Sequence, residues 1–351
     1  MKILIVSTKQ RLSDYVEFVD ALNFEGAEAI CVNNLKYCFL GETKPLYVVP
    51  VPRLLAIIKR FGPDFVLTDS PYYVPQMAKM LDRPAFYHMR GAEEGKLTER
   101  KWDIALYPSI FARMYTLYLA KIIVPSMKKT DLILPNSMWL QKQVEQLLPN
   151  HPTCVLYVGI APEKWLPNNN ERIEVKHPAV VGVFQFTIYA KFSGFLRFMN
   201  VVKRMPDVNF YFAGEGPYFN LAKKVCPPNV TVLGKIPKPK IKKLLEAGDV
   251  VVHPSGLDAL PRSVKEASLM EKAIIASNVG GIPEIIKNNQ TGFLCDIDNF
   301  SQWIEKIRFL LENPDVARRF GKNARKFVAE TFSWRTIARG FLKNIENFVS
   351  K

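Results

Sequence analysis

Short apolar segments recur along both halves of the chain, each separated from the next by a stretch with helical spacing. In the first half these segments are residues 2–7, 29–32, 65–67, 84–88, 132–135 and 154–158. In the second half they are residues 179–184, 208–213, 230–233, 250–253 and 273–276. Strands that alternate with helices form parallel sheets, so the pattern predicts an α/β protein. Because 351 residues exceed one ordinary core, we expect two Rossmann-like β/α/β domains.

A polar stretch separates the two series of apolar segments. It reads Pro-Asn-Asn-Asn-Glu-Arg over residues 167–172 and is typical of a linker. We therefore assign residues 1–165 to a first domain and residues 166–333 to a second domain. Residues 334–351 are predicted to form a last helix with one apolar face. The apolar side chains on this face are Trp334, Ile337, Phe341, Ile345 and Phe348.

The chain is strongly basic, with 48 Lys and Arg against 33 Asp and Glu and a formal net charge of +15. This balance favours anionic partners: nucleotides, phosphorylated small molecules, anionic membrane surfaces or nucleic acid. The five cysteines are scattered without a Cys-x-x-Cys pair, which indicates reduced thiols. The opening apolar run, residues 2–7, is too short for a signal peptide. We therefore expect a cytoplasmic protein.

Two acidic residues flank the start of a predicted helix in the second half of the chain. Asp258 precedes the helix, which begins near Pro261, and Glu266 lies about one turn inside it. A helix N-terminus offers unpaired N–H groups and a partial positive charge, so it suits a phosphate or diphosphate. Carboxylates beside it accept hydrogen bonds from hydroxyls, as sugars and ribose require.

The residues around this helix resemble the donor-binding region of glycosyltransferase family 4, also described as glycosyl transferases group 1. The resemblance rests on Leu-Pro-Arg-Ser-Val-Lys-Glu-Ala at residues 260–267 and Ser-Asn-Val-Gly-Gly-Ile-Pro-Glu at residues 277–284. It implies a retaining enzyme of the GT-B fold, in which two Rossmann-like domains face each other across a cleft. In that family two glutamates contact the donor sugar and its ribose. Asp258, one methylene shorter, takes the first place here, Glu266 takes the second, and Ala259 stands where the family often has Gly.

The resemblance extends to other residues that surround a nucleotide-sugar donor. Lys191 matches a phosphate-binding lysine of the family, whereas Phe186 stands where the family usually has an arginine. We expect Arg262, at the start of the helix, to supply the missing positive charge. Four further predicted donor-binding residues lie at the helix start and in a Gly-x-Gly turn after a strand: Pro261, Ser263, Gly214 and Gly216.

The first domain supplies the candidate residues for the acceptor side. His88 closes a predicted strand where similar enzymes place a polar residue, often His, near the reacting sugar, and Arg90 is a candidate for an acceptor phosphate. Lys191, Asp258 and His88 are thus the predicted catalytic residues. The paired glycines that the family has after the first strand are missing here. By resemblance the last helix crosses back to the first domain, and local packing is the alternative.

We predict no metal and no cofactor, with a nucleoside diphosphate sugar as co-substrate. Asp296 and Asp298 have the Asp-x-Asp spacing of metal-dependent glycosyltransferases of another fold, but no other ligand cluster accompanies them. A metal-independent enzyme stabilises the departing diphosphate with cationic side chains and backbone dipoles.

Two further segments bear on the acceptor. Residues 107–127 are apolar and aromatic but include two cations and two bounding prolines, so they predict a core helix or an interfacial helix rather than a membrane span. Residues 235–243 hold five lysines, which indicates a solvated helix face or an electrostatic role for nucleotide or lipid. We expect a glycan or lipid-linked acceptor, and peripheral contact with the cytoplasmic face of an anionic membrane.

These features together predict a retaining hexosyltransferase that moves a sugar from a nucleoside diphosphate to an acceptor hydroxyl. Two alternatives stay open. A sugar-nucleotide epimerase or a phosphorylase uses the same fold, but needs an additional acid/base pair or a pyridoxal-bearing lysine, neither of which we place. A non-enzymatic nucleic-acid-binding protein would use the positive charge, but no binding module is recognisable and we expect no nucleic-acid partner.

Overall fold

The computed structural model divides the chain into two compact units. One comprises Met1–Gly159 and Phe332–Lys351, and the other comprises Ile160–Thr331. The structure describes residues 1–7, 11–33, 36–39, 45–47, 51–69, 74–90, 124–166, 173–186 and 189–349. The proposed linker at residues 167–172 and most of the apolar segment 107–127 lie outside the described residues. So do residues 8–10, within the loop that lacks the family's paired glycines.

A parallel sheet forms the centre of the first unit. In chain order the described strands are β1 (Lys2–Ser7), β2 (Glu28–Asn33), β3 (Lys36–Phe39), β4 (Pro45–Tyr47), β5 (Phe65–Thr68), β6 (Ala85–Met89) and β7 (Leu132–Pro135). Five of them pair in parallel in the order β2-β1-β5-β6-β7, while β3 and β4 form a separate antiparallel pair. The accompanying helices are α1 (Leu12–Phe24), α2 (Val51–Phe61), α3 (Val74–Lys79) and α4 (Met138–Leu147).

One predicted strand of the first unit is wrong. Residues 154–158 form no regular strand, although Thr153 makes a single parallel bridge to Ile133 of β7. The extended segment follows β7 closely enough for the Leu156 amide to donate to the Pro135 carbonyl at 2.9 Å. Pro135 has no N–H to return a bond, so the ladder stops there.

A second parallel sheet forms the centre of the second unit. Its strands are β8 (Ala179–Gln185), β9 (Asn209–Glu215), β10 (Val230–Gly234), β11 (Val250–His253), β12 (Ile274–Ser277) and β13 (Gly292–Cys295), in the spatial order β10-β9-β8-β11-β12-β13. A 3₁₀ turn, Pro162–Lys164, precedes the sheet. The helices are α5 (Tyr189–Val202), α6 (Phe219–Val225), α7 (Lys238–Ala247), α8 (Arg262–Leu269), α9 (Ile282–Ile285), α10 (Phe300–Glu312) and α11 (Pro314–Phe332).

Aromatic side chains dominate the core of the second unit. Phe186, at the position where the resemblance would place an arginine, is fully buried and packs against Phe195 with ring centroids 5.2 Å apart. Its ring therefore belongs to the core, and position 186 contributes no charge to the surface. Other phenylalanines of the same cluster are Phe184, Phe192, Phe198, Phe210 and Phe212.

The last helix, α12 (Trp334–Val349), belongs to the first unit. Its apolar face joins the core cluster that covers β1 and β5, and Phe341 makes edge-to-face contacts with Phe18 and Phe65. Trp334 donates a hydrogen bond from its indole nitrogen to Glu17 of α1 at 2.7 Å. The chain thus returns from the second unit to complete the core of the first.

Candidate active site

The order of strands in the second sheet marks where a ligand would bind. From β8 the chain proceeds outward to β9 and β10 on one side, and then to β11, β12 and β13 on the other. The strand order therefore reverses between β8 and β11. In open parallel sheets, ligands bind at the carboxyl ends of the strands beside such a reversal. Lys191 lies in the first turn of α5, after β8, and Asp258 lies in the loop after β11.

Lys191 and Asp258 form an ion pair at this point, with Nζ 2.9 Å from Oδ2. Both side chains are largely buried, at 21% and 10% exposure. Two glycines allow the approach of α5 to the loop after β11. A Cβ on Gly194 would lie 2.2 Å from the Gly256 backbone nitrogen, and one on Gly256 would lie 2.2 Å from the Ala190 carbonyl oxygen. No side chain fits at either position, so helix and loop meet backbone to backbone.

His253, the last residue of β11, lies on the other side of Asp258. Its Nε2 is 3.7 Å from Asp258 Oδ2, and its Nδ1 is 3.4 Å from the hydroxyl of Ser263. Burial raises the pKa of Asp258, but Lys191 and His253 together outweigh that effect and lower it to about 2. Asp258 is therefore a carboxylate throughout the physiological pH range.

A glycine pair in the next loop contacts the backbone of Asp258. The Gly281 amide donates to the Asp258 carbonyl at 2.9 Å. Gly280 has φ of +58°, and a Cβ there would lie 2.0 Å from the same carbonyl oxygen. Glycine at position 280 is thus required by close approach and by backbone conformation. It supports the loop that carries Asp258.

The N-terminus of α8 adjoins this loop. Pro261 is its N-cap and provides no side-chain hydrogen bond to the first amides of the helix. Ser263, in the first turn, reaches His253, which links the helix start to Asp258. Arg262 lies with Nε 3.3 Å from Oε1 of Glu266, one turn further along.

Glu266 differs sharply from Asp258 in its protonation. Its side chain is 9% exposed, and burial raises its pKa to about 7 although Arg262 and nearby lysines act in the opposite direction. Near neutral pH a substantial fraction of Glu266 is therefore protonated. A protonated carboxyl both donates and accepts hydrogen bonds, which suits a vicinal diol such as a ribose.

The turn at the end of β9 contains the two predicted glycines. A Cβ on Gly214 would lie 2.1 Å from the Phe184 carbonyl oxygen, and Gly216 has φ of 145°. Both positions therefore require glycine for the path of the chain at the carboxyl edge of the sheet. Between them Glu215 pairs with Lys235 at 2.8 Å.

His88 and Arg90 lie together in the first unit, around Tyr15. His88 is buried; its Nε2 donates to the Leu156 carbonyl at 2.9 Å, and its Nδ1 accepts from the Tyr15 hydroxyl at 2.8 Å. Burial holds the pKa of His88 well below its usual value, so the ring is neutral. Arg90 is paired with Asp14 and lies over the Tyr15 ring. A substrate contact by His88 would require one of its two hydrogen bonds to be exchanged.

Both acids of the Asp-x-Asp sequence have interaction partners within the protein. Asp298 pairs with Arg197 at 2.9 Å, and its backbone amide donates to Asp296. Within the described residues, no group of three or more His, Cys, Asp and Glu side chains has a geometry that could hold a metal ion. None of the described helices is both long and apolar enough to cross a membrane.

Three residues of the site were missed as functional positions at the sequence level. His253 ends a strand whose apolar run hides its role, and Gly194 and Gly256 are single glycines with no local motif. The available signal was their position: His253 ends β11, Gly256 lies in the loop that follows, and Gly194 lies about one turn after Lys191 in α5.

Comparison with solved structures identifies the class of fold. The sucrose-phosphate synthase of Thermosynechococcus elongatus aligns with a TM-score of 0.75 at 17% identity, covering 100% of this chain and 99% of that one. Anabaena HepE, solved with UDP and glucose, aligns with a TM-score of 0.70 at 16% identity over 99% of this chain and 100% of its own. The chain has the GT-B fold of two Rossmann-like units, as predicted.

Sequence comparison finds a family match in the second unit. Residues 166–327 match the family described as glycosyl transferases group 1. The sulfoquinovosyl transferase of Arabidopsis thaliana is 26% identical over 334 residues, which is 89% of this chain and 62% of the relative. The alpha-maltose-1-phosphate synthase of Mycolicibacterium smegmatis is 35% identical over 114 residues, 31% of this chain and 30% of the relative. The chain thus spans less than two thirds of either relative.

Proposed function

We propose that the protein is a retaining, metal-independent glycosyltransferase, which moves a hexosyl group from a nucleoside diphosphate sugar to an acceptor hydroxyl. The observation that carries the proposal is the Lys191–Asp258 ion pair at the strand-order reversal, linked through His253 to the start of α8. A cation, a fixed carboxylate and a helix N-terminus in one place match a diphosphate joined to a sugar.

The leaving group is the nucleoside diphosphate. Lys191 and the first amides of α8 stabilise the charge that develops on its phosphate oxygen as the bond to the anomeric carbon breaks. Arg262 adds a second cation at the same helix start. The acceptor oxygen attacks from the leaving-group face, and the departing phosphate oxygen takes its proton. No side-chain base is needed for this step.

The hydroxyl groups of the donor meet the two acids. Asp258, always ionised, accepts hydrogen bonds from the sugar hydroxyls. Glu266, with its pKa near 7, exchanges hydrogen bonds with the ribose. The glycine turn at Gly214 and Gly216 lies at the carboxyl edge of the sheet, where the nucleotide would bind.

The names of similar proteins support this assignment. HepE was solved with UDP-glucose as well as with UDP and glucose. The relatives include a sulfoquinovosyl transferase and one component of the human phosphatidylinositol N-acetylglucosaminyltransferase. We assign His88 and Arg90 to the acceptor side, a glycan or lipid-linked molecule as acceptor, and a place at the cytoplasmic face of a membrane.

The test begins with binding. Calorimetry with UDP, GDP and ADP should find micromolar affinity for at least one, unchanged by a metal chelator, and lost in Glu266→Ala. Lys191→Ala should weaken the same binding by tenfold or more, while Lys223→Ala, on the exposed face of α6, serves as the control. Steeply salt-dependent binding of single-stranded RNA that ignores Glu266→Ala would instead favour the nucleic-acid alternative.

The second step is chemistry. Incubation with radiolabelled sugar nucleotides and a membrane extract should yield a labelled product whose anomeric configuration matches that of the donor. Inversion of configuration would contradict the retaining mechanism. Epimerised sugar nucleotide without an acceptor product would favour the epimerase alternative.

A further inference from the structure

His253 occupies a position at the proposed donor site that the roles above leave unexplained. It is a buried residue at the carboxyl end of β11, and its ring lies flat on Phe184 with centroids 5.4 Å apart and planes 10° from parallel. This stacking holds the ring in one plane, so its two nitrogens have fixed directions. Nδ1 faces the Ser263 hydroxyl, and Nε2 faces the Asp258 carboxylate.

The two contacts indicate which nitrogen carries the proton. A carboxylate oxygen only accepts hydrogen bonds, so the Nε2 that faces Asp258 carries a proton, and the Ser263 hydroxyl at 3.4 Å is placed to donate to Nδ1. Nε2 has no hydrogen-bond partner among the described residues, because 3.7 Å to Asp258 Oδ2 exceeds hydrogen-bond range. Buried polar groups are normally bonded, so an open donor aimed at a carboxylate calls for an explanation.

Asp258 would lose its cationic partner when a diphosphate binds Lys191. Its carboxylate holds the Lys191 ammonium group at 2.9 Å. The diphosphate of a donor would compete for the same ammonium group. A buried carboxylate that loses its cation without replacement is strongly destabilised, so an isolated Asp258 would resist the release of Lys191.

We propose that His253 is a positioning residue, which donates a hydrogen bond to Asp258 in place of Lys191 when Lys191 binds the donor diphosphate. The Nε2–H approaches Oδ2 by about 1 Å to reach ordinary hydrogen-bond distance and replaces the lost ammonium contact. Lys191 then binds phosphate, while Asp258 stays in place for the sugar hydroxyls. No bond is broken and no proton moves; only hydrogen-bond partners are exchanged. This inference rests on the proposed function of the same site.

The first experiment compares His253→Phe with the wild type. Phenylalanine keeps the stack on Phe184 and removes both nitrogens. Calorimetry uses whichever of UDP, GDP and ADP the wild type binds, together with the matching nucleoside. We expect the diphosphate to bind about tenfold more weakly, because Asp258 retains Lys191, and the nucleoside to bind as before. His253→Gln, whose amide N–H reaches the place of Nε2, should restore most of the affinity.

The decisive experiment adds Asp258→Asn. Without the carboxylate, Lys191 is not held by an ion pair, so His253→Phe should have little effect on diphosphate affinity in the Asp258→Asn background. A double-mutant cycle therefore measures the coupling directly. If His253→Phe weakens diphosphate binding equally in the wild-type and Asp258→Asn backgrounds, the proposed exchange of hydrogen-bond partners at Asp258 is refuted. Should His253→Phe fail to fold, His253→Asn takes its place, since it keeps a group near Ser263 and lacks Nε2.

A matched control separates this role from plain structural support. His177 pairs with Asp249 at 2.8 Å near the amino ends of the strands of the same sheet. His177→Phe should leave both affinities unchanged. Equal binding of diphosphate by wild type and His253→Phe would overturn the inference alone. Absence of binding of all three diphosphates to the wild type would overturn the proposed function, and the inference with it.

Discussion

At the scale of single residues, the site holds two acids in opposite states. Asp258 lies beside Lys191 and His253, which keep it ionised, whereas burial outweighs the cations around Glu266 and raises its pKa to about 7. The sequence shows two acids eight positions apart, and nothing local distinguishes them. Their difference comes from neighbours that are distant in sequence and from loss of solvent.

The raised pKa of Glu266 predicts a pH dependence of stability. Its folded-state pKa of about 7 exceeds the reference value of 4.5, so the folded protein holds the extra proton between these pH values. The stability contributed by this group is therefore full below pH 4.5 and is lost as pH rises through 7. From pH 5 to pH 8, wild type should lose on the order of 2 kcal/mol relative to Glu266→Gln, as measured by urea unfolding. Glu305→Gln, at an exposed helix position, should show the same pH dependence of unfolding free energy as the wild type.

Arg262 tests whether a second cation replaces the one absent at position 186. Its guanidinium is 3.3 Å from Glu266 at the start of α8. Arg262→Ala should weaken nucleoside diphosphate binding about tenfold, the equivalent of about 1.4 kcal/mol, with a smaller effect on the nucleoside alone. Arg308→Ala provides the comparison, because Arg308 is an exposed arginine paired with Asp207. A loss no larger than that of Arg308→Ala would remove Arg262 from the phosphate site.

At the scale of secondary-structure elements, the site depends on how α5 meets the loop after β11. Lys191 reaches Asp258 because Gly194 and Gly256 let the two backbones touch. The helix itself was predictable from its apolar spacing, but the contact was not. A close approach between segments so far apart in the chain leaves no periodic trace in either.

Gly194→Ala should therefore harm both stability and binding. The new methyl group would meet backbone atoms of Ser255 and Gly256 well inside contact distance, so α5 must move away. We expect a loss of about 1–3 kcal/mol in unfolding free energy and weaker nucleoside diphosphate binding. Gly340→Ala is the matched change: it lies within a helix with nothing inside 4 Å of the new Cβ, and should stabilise by about 0.5–1 kcal/mol. Equal stability of Gly194→Ala and wild type would disprove the contact.

At the scale of the whole molecule, the chain leaves its first unit at Gly159 and returns to it at Phe332. The apolar face of α12 completes the cluster formed by α1, β1 and β5. The sequence showed that this helix has one apolar face. Which core the face joins depends on the path of the chain in space.

The return of α12 predicts which unit its substitution destabilises. Phe341 is 4% exposed and packs on Phe18 and Phe65, so Phe341→Ala should cost about 3–5 kcal/mol in the first unit. Nucleoside diphosphate binding in the second unit should persist near wild-type affinity at low temperature. Calorimetric unfolding with and without the nucleotide assigns the transitions, since the ligand raises only that of the unit it binds. A drop confined to the ligand-stabilised transition would contradict this assignment.

The sequence alone predicted most strands of the two parallel sheets, the helix α8 with Asp258 before it and Glu266 within it, and the glycine turns. It did not predict β13, and the strand that it predicted at residues 154–158 does not form. Strand and helix periods, turn residues and helix starts can be recognised within short stretches of sequence, because they reflect local burial and local backbone geometry. The tertiary structure decided that Lys191 pairs with Asp258, that His253 faces the same carboxylate, and that Glu266 is largely shielded from water. These features depend on distances between segments far apart in the chain and on solvent excluded by their packing, and no local pattern encodes either.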